Sequence, residues 1–195
     1  MEDRKKEFFI GLMPTQETKE RLYAVAAQVQ ETFGIENRFL THPLCIHIKS
    51  MFRADPEEIL ALREYLEVWS LRIRKSDTEF VPTDFVIKNN HIFLVFKNDH
   101  FVDQKEEFIL DLKRLFTEGD DQWMSFGNTD DVASDIGIAF VSLADNSHLV
   151  RGFLIKKIKD IASGKNEFNK ITLFTKDDEE QWVEAEGVSY DIGKT

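Results

Sequence analysis

The residues with the most chemistry per position lie in PLCIHIKSMF, from Pro43 to Phe52. If this stretch is a strand, strict alternation places Leu44, Ile46 and Ile48 on one face and Cys45, His47 and Lys49 on the other. A thiol, an imidazole and an ammonium on one face allow three chemistries. Cys45 could be a nucleophile with His47 as its base. The two sites would be roughly 6–7 Å apart along the strand, which suits a shared ligand better than a direct thiol–imidazole hydrogen bond. His47 and Lys49 together would make an anion pocket, two donors facing one phosphate-sized group. The plainer alternative is a solvated polar face, since a single cysteine is usually an inert small hydrophobe. His91 falls on a candidate hairpin, and His42 and His100 fall at loop edges, where surface positions are the simplest reading.

The elements that must position these groups follow from periodicity and end signals. EFFIGLM (7–13) is a strand ended by Pro14, and Thr15 caps a helix over 16–33 that Gly34 stops. After the opening strand, Asp55 and Glu58 form a capping box with Pro56 at the first helical position, ahead of a buried stripe of Ile59, Leu62, Leu66 and Trp69. Asn89-Asn90 marks a tight hairpin between strands at 79–88 and 91–97. Asp103 and Glu106 suggest a second capping box, for a helix carrying Phe108, Leu112, Leu115 and Phe116. A polar loop over 117–131, a strand in ASDIGIAFVSL, a helix in SHLVRGFLIKKIKDIA and a closing hairpin with the acidic turn KDDEE complete the chain. The order β-α-β-α-β-β-α-β-α-β-β repeats one sequence of elements without a residue-level repeat. It predicts an α+β fold of two lobes, each an antiparallel sheet backed by helices, with a central cleft as the default site. Residues 1–195 are expected to form a single two-lobed domain. The paired aromatics Phe8, Phe9, Phe93, Phe96 and Trp182 are read as core.

Composition narrows the function classes. The 195 residues are 42% hydrophobic with 17 phenylalanines, a globular composition, and the formal charge of −11 argues against an extended grip on long nucleic acid. Basic clusters such as KNEFNK (165–170) are flanked by acids. No apolar run reaches the length of a membrane span, and the first residues lack a signal-peptide pattern. With one cysteine there is no internal disulfide and no multi-cysteine zinc site, and a cytoplasmic setting fits.

The layout, together with EFFIGLMP at the start, PLCIHIKSMF, the middle hairpin TEFVPTDFVIKNNHIFLVFKN, ASDIGIAF and the closing FNKITLFTKDDEEQWVEAEGVSYDIG, resembles the two-histidine phosphoesterases, the LigT-like or 2′-5′ RNA ligase family. That resemblance implies two strands, each presenting a His-x-Thr motif to a central cleft. One histidine is general base and the other general acid on a phosphodiester, the threonines hold the phosphate, and neither metal nor cofactor is required. Carried across by the trailing Lys49 and Phe52, the first histidine falls on Cys45 and its threonine on His47. A slip of two residues makes His47-Ile48-Lys49 the first motif instead and keeps the same face. The second histidine falls on Asp135 and its threonine on Gly137. On either register the histidine pair is incomplete. Asp135 could serve as base but, as an ordinary carboxylate, would be ionised at neutral pH, a poor acid and a repulsive neighbour for phosphate. A metal held by Cys45, His47 and Asp135 would have no recognised spacing.

The resemblance therefore implies candidate catalytic residues His47, Cys45 and Asp135, and phosphate contacts from Lys49, His47 and Gly137. The expected function is binding of a nucleotide, cyclic nucleotide or RNA end by a monomer whose two-histidine catalysis has been lost. The alternatives are a metal-independent 2′,3′-cyclic or 2′-5′ phosphodiesterase working through His47, and a module whose acidic surface docks a protein partner.

Overall fold

The computed structural model describes residues 6–35, 42–88, 91–115, 136–142 and 147–194. In chain order these form β1 (Lys6–Pro14), α1 (Gln16–Phe33), β2 (Ile46–Ala54), α2 (Pro56–Ser70), a 3-10 turn (Lys75–Thr78), β3 (Val81–Lys88), β4 (His91–Lys97), α3 (Asp99–Leu115), β5 (Ile136–Ser142), α4 (Ser147–Ile161), β6 (Phe168–Lys176) and β7 (Trp182–Asp191). The expected α+β class with two antiparallel sheets is the one the chain adopts.

The end signals explain most of the helix boundaries. The Thr15 hydroxyl accepts from the Thr18 N–H, and Gly34 closes α1 at φ 66°, a left-handed conformation that costs glycine little. At α2 the Asp55 carboxylate accepts from Glu57 and Glu58 N–H, and Glu58 accepts in return from the Asp55 N–H at 2.8 Å. The box expected at Asp103 and Glu106 does not form. Helix α3 starts one turn earlier than Asp103, because Asn98 accepts from the Phe101 N–H at 2.9 Å and its amide also donates to the carbonyls of Asp77 and Glu79. Asn98 thus caps the helix and ties it to the preceding turn, which a surface Asp103 could not do.

The sheets do not follow the two halves of the sequence. One has the order β2-β1-β6-β7 and the other β3-β4-β5, so the closing hairpin completes the first sheet and the middle hairpin joins the later strand β5. Lys88 and His91 pair across the two residues Asn89-Asn90, which lie outside the described residues, as do the loop 117–131 and Phe116. One hydrophobic core joins both sheets to the helices. It takes Phe8, Ile10 and Leu12 from β1, Ile46 and Ile48 from β2, Ile92, Leu94 and Phe96 from β4, and Ile138 and Phe140 from β5. Phe168 of β6 packs edge-on against Phe80 and against Phe96 of β4, joining the sheets directly. Beyond its own sheet, the edge strand β2 meets β5.

Candidate functional site

Both faces of β1 are apolar, which the adjacent pair Phe8-Phe9 already implies, because neighbouring strand residues point opposite ways. Phe8, Ile10 and Leu12 enter the main core. Phe9 and Met13 point away from it, into a second cluster with Cys45, Phe174 and Trp182. Gly11 sits in the middle of that outward face. A Cβ there would lie 2.7 Å from the Cys45 sulfur and 3.1 Å from the Phe174 ring, so glycine is the residue that lets Cys45 pack on β1. Cys45 is 2% exposed, and burial pushes its thiol well above the ordinary range. It is therefore protonated at neutral pH and has no thiolate to offer as nucleophile or metal ligand. The expected catalytic role for Cys45 meets a packed, apolar environment.

His47 shares the face of Cys45, as alternation requires, but it is exposed. Its ring stacks on Phe9 at 4.7 Å with 12° between the planes, and Phe9 stacks on Phe174 at 4.6 Å and 14°. The edge of Trp182 meets the Phe9 ring at 4.8 Å. Three parallel rings on β2, β1 and β6 therefore stand side by side at about the spacing between neighbouring strands, ~4.8 Å.

Lys49 does not join them. Gly11 is paired with His47 and Ile10 with Lys49, so Ile48 is an extra residue on β2, and a second irregularity follows before Phe8 pairs with Phe52. Such a bulge breaks the two-residue alternation. It places Lys49 opposite the core residue Ile10, and Lys49 is 3% exposed. The expectation that Lys49 shares a face with His47 is corrected by that bulge.

On the second sheet, Gly137 pairs with Val95 and Ala139 with Phe93. All four are half-buried and alternate with the core residues Ile138, Leu94 and Phe140, so they face away from the core, as His47 does. The atoms nearest a Cβ at Gly137 all belong to β4, the first being the Leu94 carbonyl oxygen at 3.3 Å. Asp135 lies outside the described residues. His91 is half-buried with its ring edge-on to Phe93 at 6.2 Å, His42 is half-buried ahead of β2, and His100 and His148 are exposed in the first turns of α3 and α4.

Charges on the outward face of the first sheet are matched across strands. Glu7 on β1 receives Arg53 of β2 at 3.2 Å and Lys176 of β6 at 3.0 Å, and Lys176 also reaches Glu180 at 2.9 Å and lies over the Trp182 ring. The hydrogen bond from Lys176, reinforced by Arg53, holds the Glu7 carboxyl below its ordinary range despite the opposing effect of burial. Lys170 pairs with Glu184 at 3.8 Å. Among the described residues no group of three or more His, Cys, Asp or Glu side chains converges as a metal site, and no helix is long and apolar enough to cross a membrane. This ion network and the outward role of Phe9, Phe174 and Trp182 are not anticipated from sequence. An acid and a base within one helical turn are visible in a sequence, but pairs across β2, β1 and β6 are not.

A two-lobed α+β chain with two antiparallel sheets meeting along β2 and β5 is the class the fold defines. TT0787 of Thermus thermophilus has this fold: its crystal structure superposes with a TM-score of 0.63 at 11% identity, covering 96% of this chain and 98% of that one. E. coli LigT complexed with phosphate aligns over 98% of this chain and 100% of its own, at 8% identity and a TM-score of 0.44. No protein-family model and no curated protein sequence matches the chain.

Proposed function

We propose that the protein is a LigT-like phosphoesterase-fold protein that binds a nucleotide, cyclic nucleotide or RNA end in the central cleft, on the sheet faces turned away from the core, without two-histidine catalysis. The observation that carries this is the state of Cys45. In the register set by Lys49 and Phe52, the position of the first catalytic histidine holds a buried thiol that burial keeps protonated, packed with Phe9 and Phe174. General acid–base catalysis needs a group that titrates near the working pH within reach of the substrate, and this one does neither. Gly137 supplies no side chain at the position assigned to the second threonine, and the resemblance places Asp135 where the second histidine would be. What remains is an exposed imidazole on an aromatic stack, a surface suited to holding a ligand.

In this reading the chain works as a cytoplasmic monomer on small or terminal ligands, its net charge of −11 keeping long nucleic acid away. The test is turnover of adenosine 2′,3′-cyclic phosphate and short 2′-5′ oligoadenylates without added metal, run beside calorimetric titration of the same compounds. Binding without turnover is expected. Turnover that His47→Ala abolishes would establish the working phosphodiesterase instead, and absence of any binding would leave the protein-docking module as the better account.

A further inference from the structure

Helix α2 has apolar residues on two faces, and the core uses one of them. Leu62, Leu66 and Trp69 enter the core that the helix shares with the sheets. Tyr65 and Trp69 meet Phe108 of α3, the Tyr65 hydroxyl donates to Asp111 at 2.9 Å, and the Arg63 guanidinium lies against Gly187 of β7. Opposite these contacts, Leu60 is 59% exposed, Val68 49%, and Leu71, which ends the helix, 66%. At the helical repeat these three fall within about 100° of arc, a stripe running most of the length of α2.

The same arc carries acids. Glu57 and Glu64 lie within it and Glu67 at its edge, all exposed. Across the groove, Asp111 and the exposed Glu107 of α3 stand near Tyr65: burial first, then Asp111 and Glu107, push its phenol up, with Arg72 opposing. Arg63 is turned towards β7, and Arg72 follows the stripe only at its C-terminal end. An apolar stripe interleaved with carboxylates is repelled by an anionic membrane surface. It also disfavours a second copy, because the antiparallel pairing that sets Leu60 against Leu71 sets Glu64 against Glu67 twice over. Its complement is a helix with apolar residues on one face and lysine or arginine between them.

We propose that the outer face of α2, with Leu60, Val68 and Leu71 set among Glu57, Glu64 and Glu67, docks a basic amphipathic helix of a partner protein. The apolar side chains are the anchors, and the carboxylates select which helices are accepted. This surface is independent of the nucleotide reading, since α2 packs on the core side of the first sheet and His47 stands on the other side.

The test is fluorescence anisotropy of the full-length protein with a labelled synthetic amphipathic helix of leucine and lysine. Two controls run beside it: the same peptide with each lysine replaced by glutamate, and a scrambled peptide of the same composition. The lysine peptide is expected to bind, less tightly as salt rises, and the controls are expected not to. Leu60→Ser with Leu71→Ser should weaken binding roughly tenfold or more, the scale for losing anchoring side chains. Val81→Ser, at a comparably exposed position on β3, should change nothing. Glu64→Lys with Glu67→Lys should lose the lysine peptide and bind the glutamate peptide instead. Should the serine variants unfold, this charge reversal still decides. No binding of the lysine peptide overturns the site. Equal binding of the scrambled peptide, or insensitivity to the serine pair, shows only general attraction to a chain of net charge −11 and overturns it too. A charge-reversed pair that does not switch peptides does the same. Self-association in sedimentation velocity that the serine pair abolishes would assign the stripe to a second copy and overturn the partner helix.

Discussion

Gly11→Ala is the substitution that tests most sharply whether the first motif position is sealed. The new methyl would sit 2.7 Å from the Cys45 sulfur, 3.0 Å from its Cβ and 3.1 Å from the Phe174 ring. Carbon–sulfur contact distances are well beyond that, so the cluster of Phe9, Cys45 and Phe174 must shift as a unit. Overpacking of one methyl in a close-packed site costs about 1–3 kcal/mol. For a chain of this size, about 2 kcal/mol lowers the thermal midpoint by roughly 4–8 °C. Cys45→Ala alone removes a buried sulfur and costs about 1 kcal/mol in transfer and cavity energy. Combined with Gly11→Ala it removes the shortest clash, so the double variant should be more stable than the sum of the singles requires, by about 1 kcal/mol or more. Urea unfolding followed by circular dichroism, with slopes compared between variants, measures all four corners of the cycle. A Gly11→Ala midpoint within error of the parent, or strictly additive singles, would refute the packing that closes the site over Cys45.

Three further outcomes follow from the same geometry. Cys45 should resist a thiol reagent in the folded protein at pH 8 and react at the rate of unfolding, since burial both shields the sulfur and keeps it protonated; fast labelling of native protein would contradict this. Because Lys176 and Arg53 hold Glu7 below its ordinary value of 4.5, the ion pairs contribute stability above that pH, and the contribution is lost as pH falls through the lowered folded value. Urea midpoints measured from pH 6 down to pH 3 should therefore drop more steeply for the parent than for Glu7→Gln, and parallel curves would remove the network from the account. Asp55→Ala should cost about 1 kcal/mol in the same assay, because it leaves the N–H groups of Glu57 and Glu58 without their shared acceptor, and a neutral outcome would show that the box is not stabilising.

Local chemistry is legible where one residue type does one job at a boundary. Thr15, Gly34, Asp55 and Glu58 all act where their types and spacing put them. Asn98 is less conspicuous in sequence than the Asp103–Glu106 spacing. Its advantage is tertiary, because one amide satisfies the helix start and two carbonyls from an earlier turn at once. The alternation of PLCIHIKSMF describes the strand through Ile48 and fails at Lys49. A bulge leaves no mark in the alternating pattern, and here it is imposed by pairing with β1. The assignment of hairpins to sheets is equally hidden, since β6 pairs with β1 and β4 with β5 through contacts distant in sequence. Phe9 reads as core and is indeed 1% exposed, yet its cover is His47, Phe174 and Trp182 on the outward face. Aromatic content in the sequence does not say which side of the sheet each ring takes.

The central claim is the proposal that the sheet face carrying His47 holds a nucleotide and leaves its phosphate intact. A crystal structure of the protein soaked with adenosine 2′,3′-cyclic phosphate tests it most directly. The expected density is an unhydrolysed cyclic nucleotide on the face that carries His47. Density for an opened phosphate, or for no ligand on this face, would contradict it.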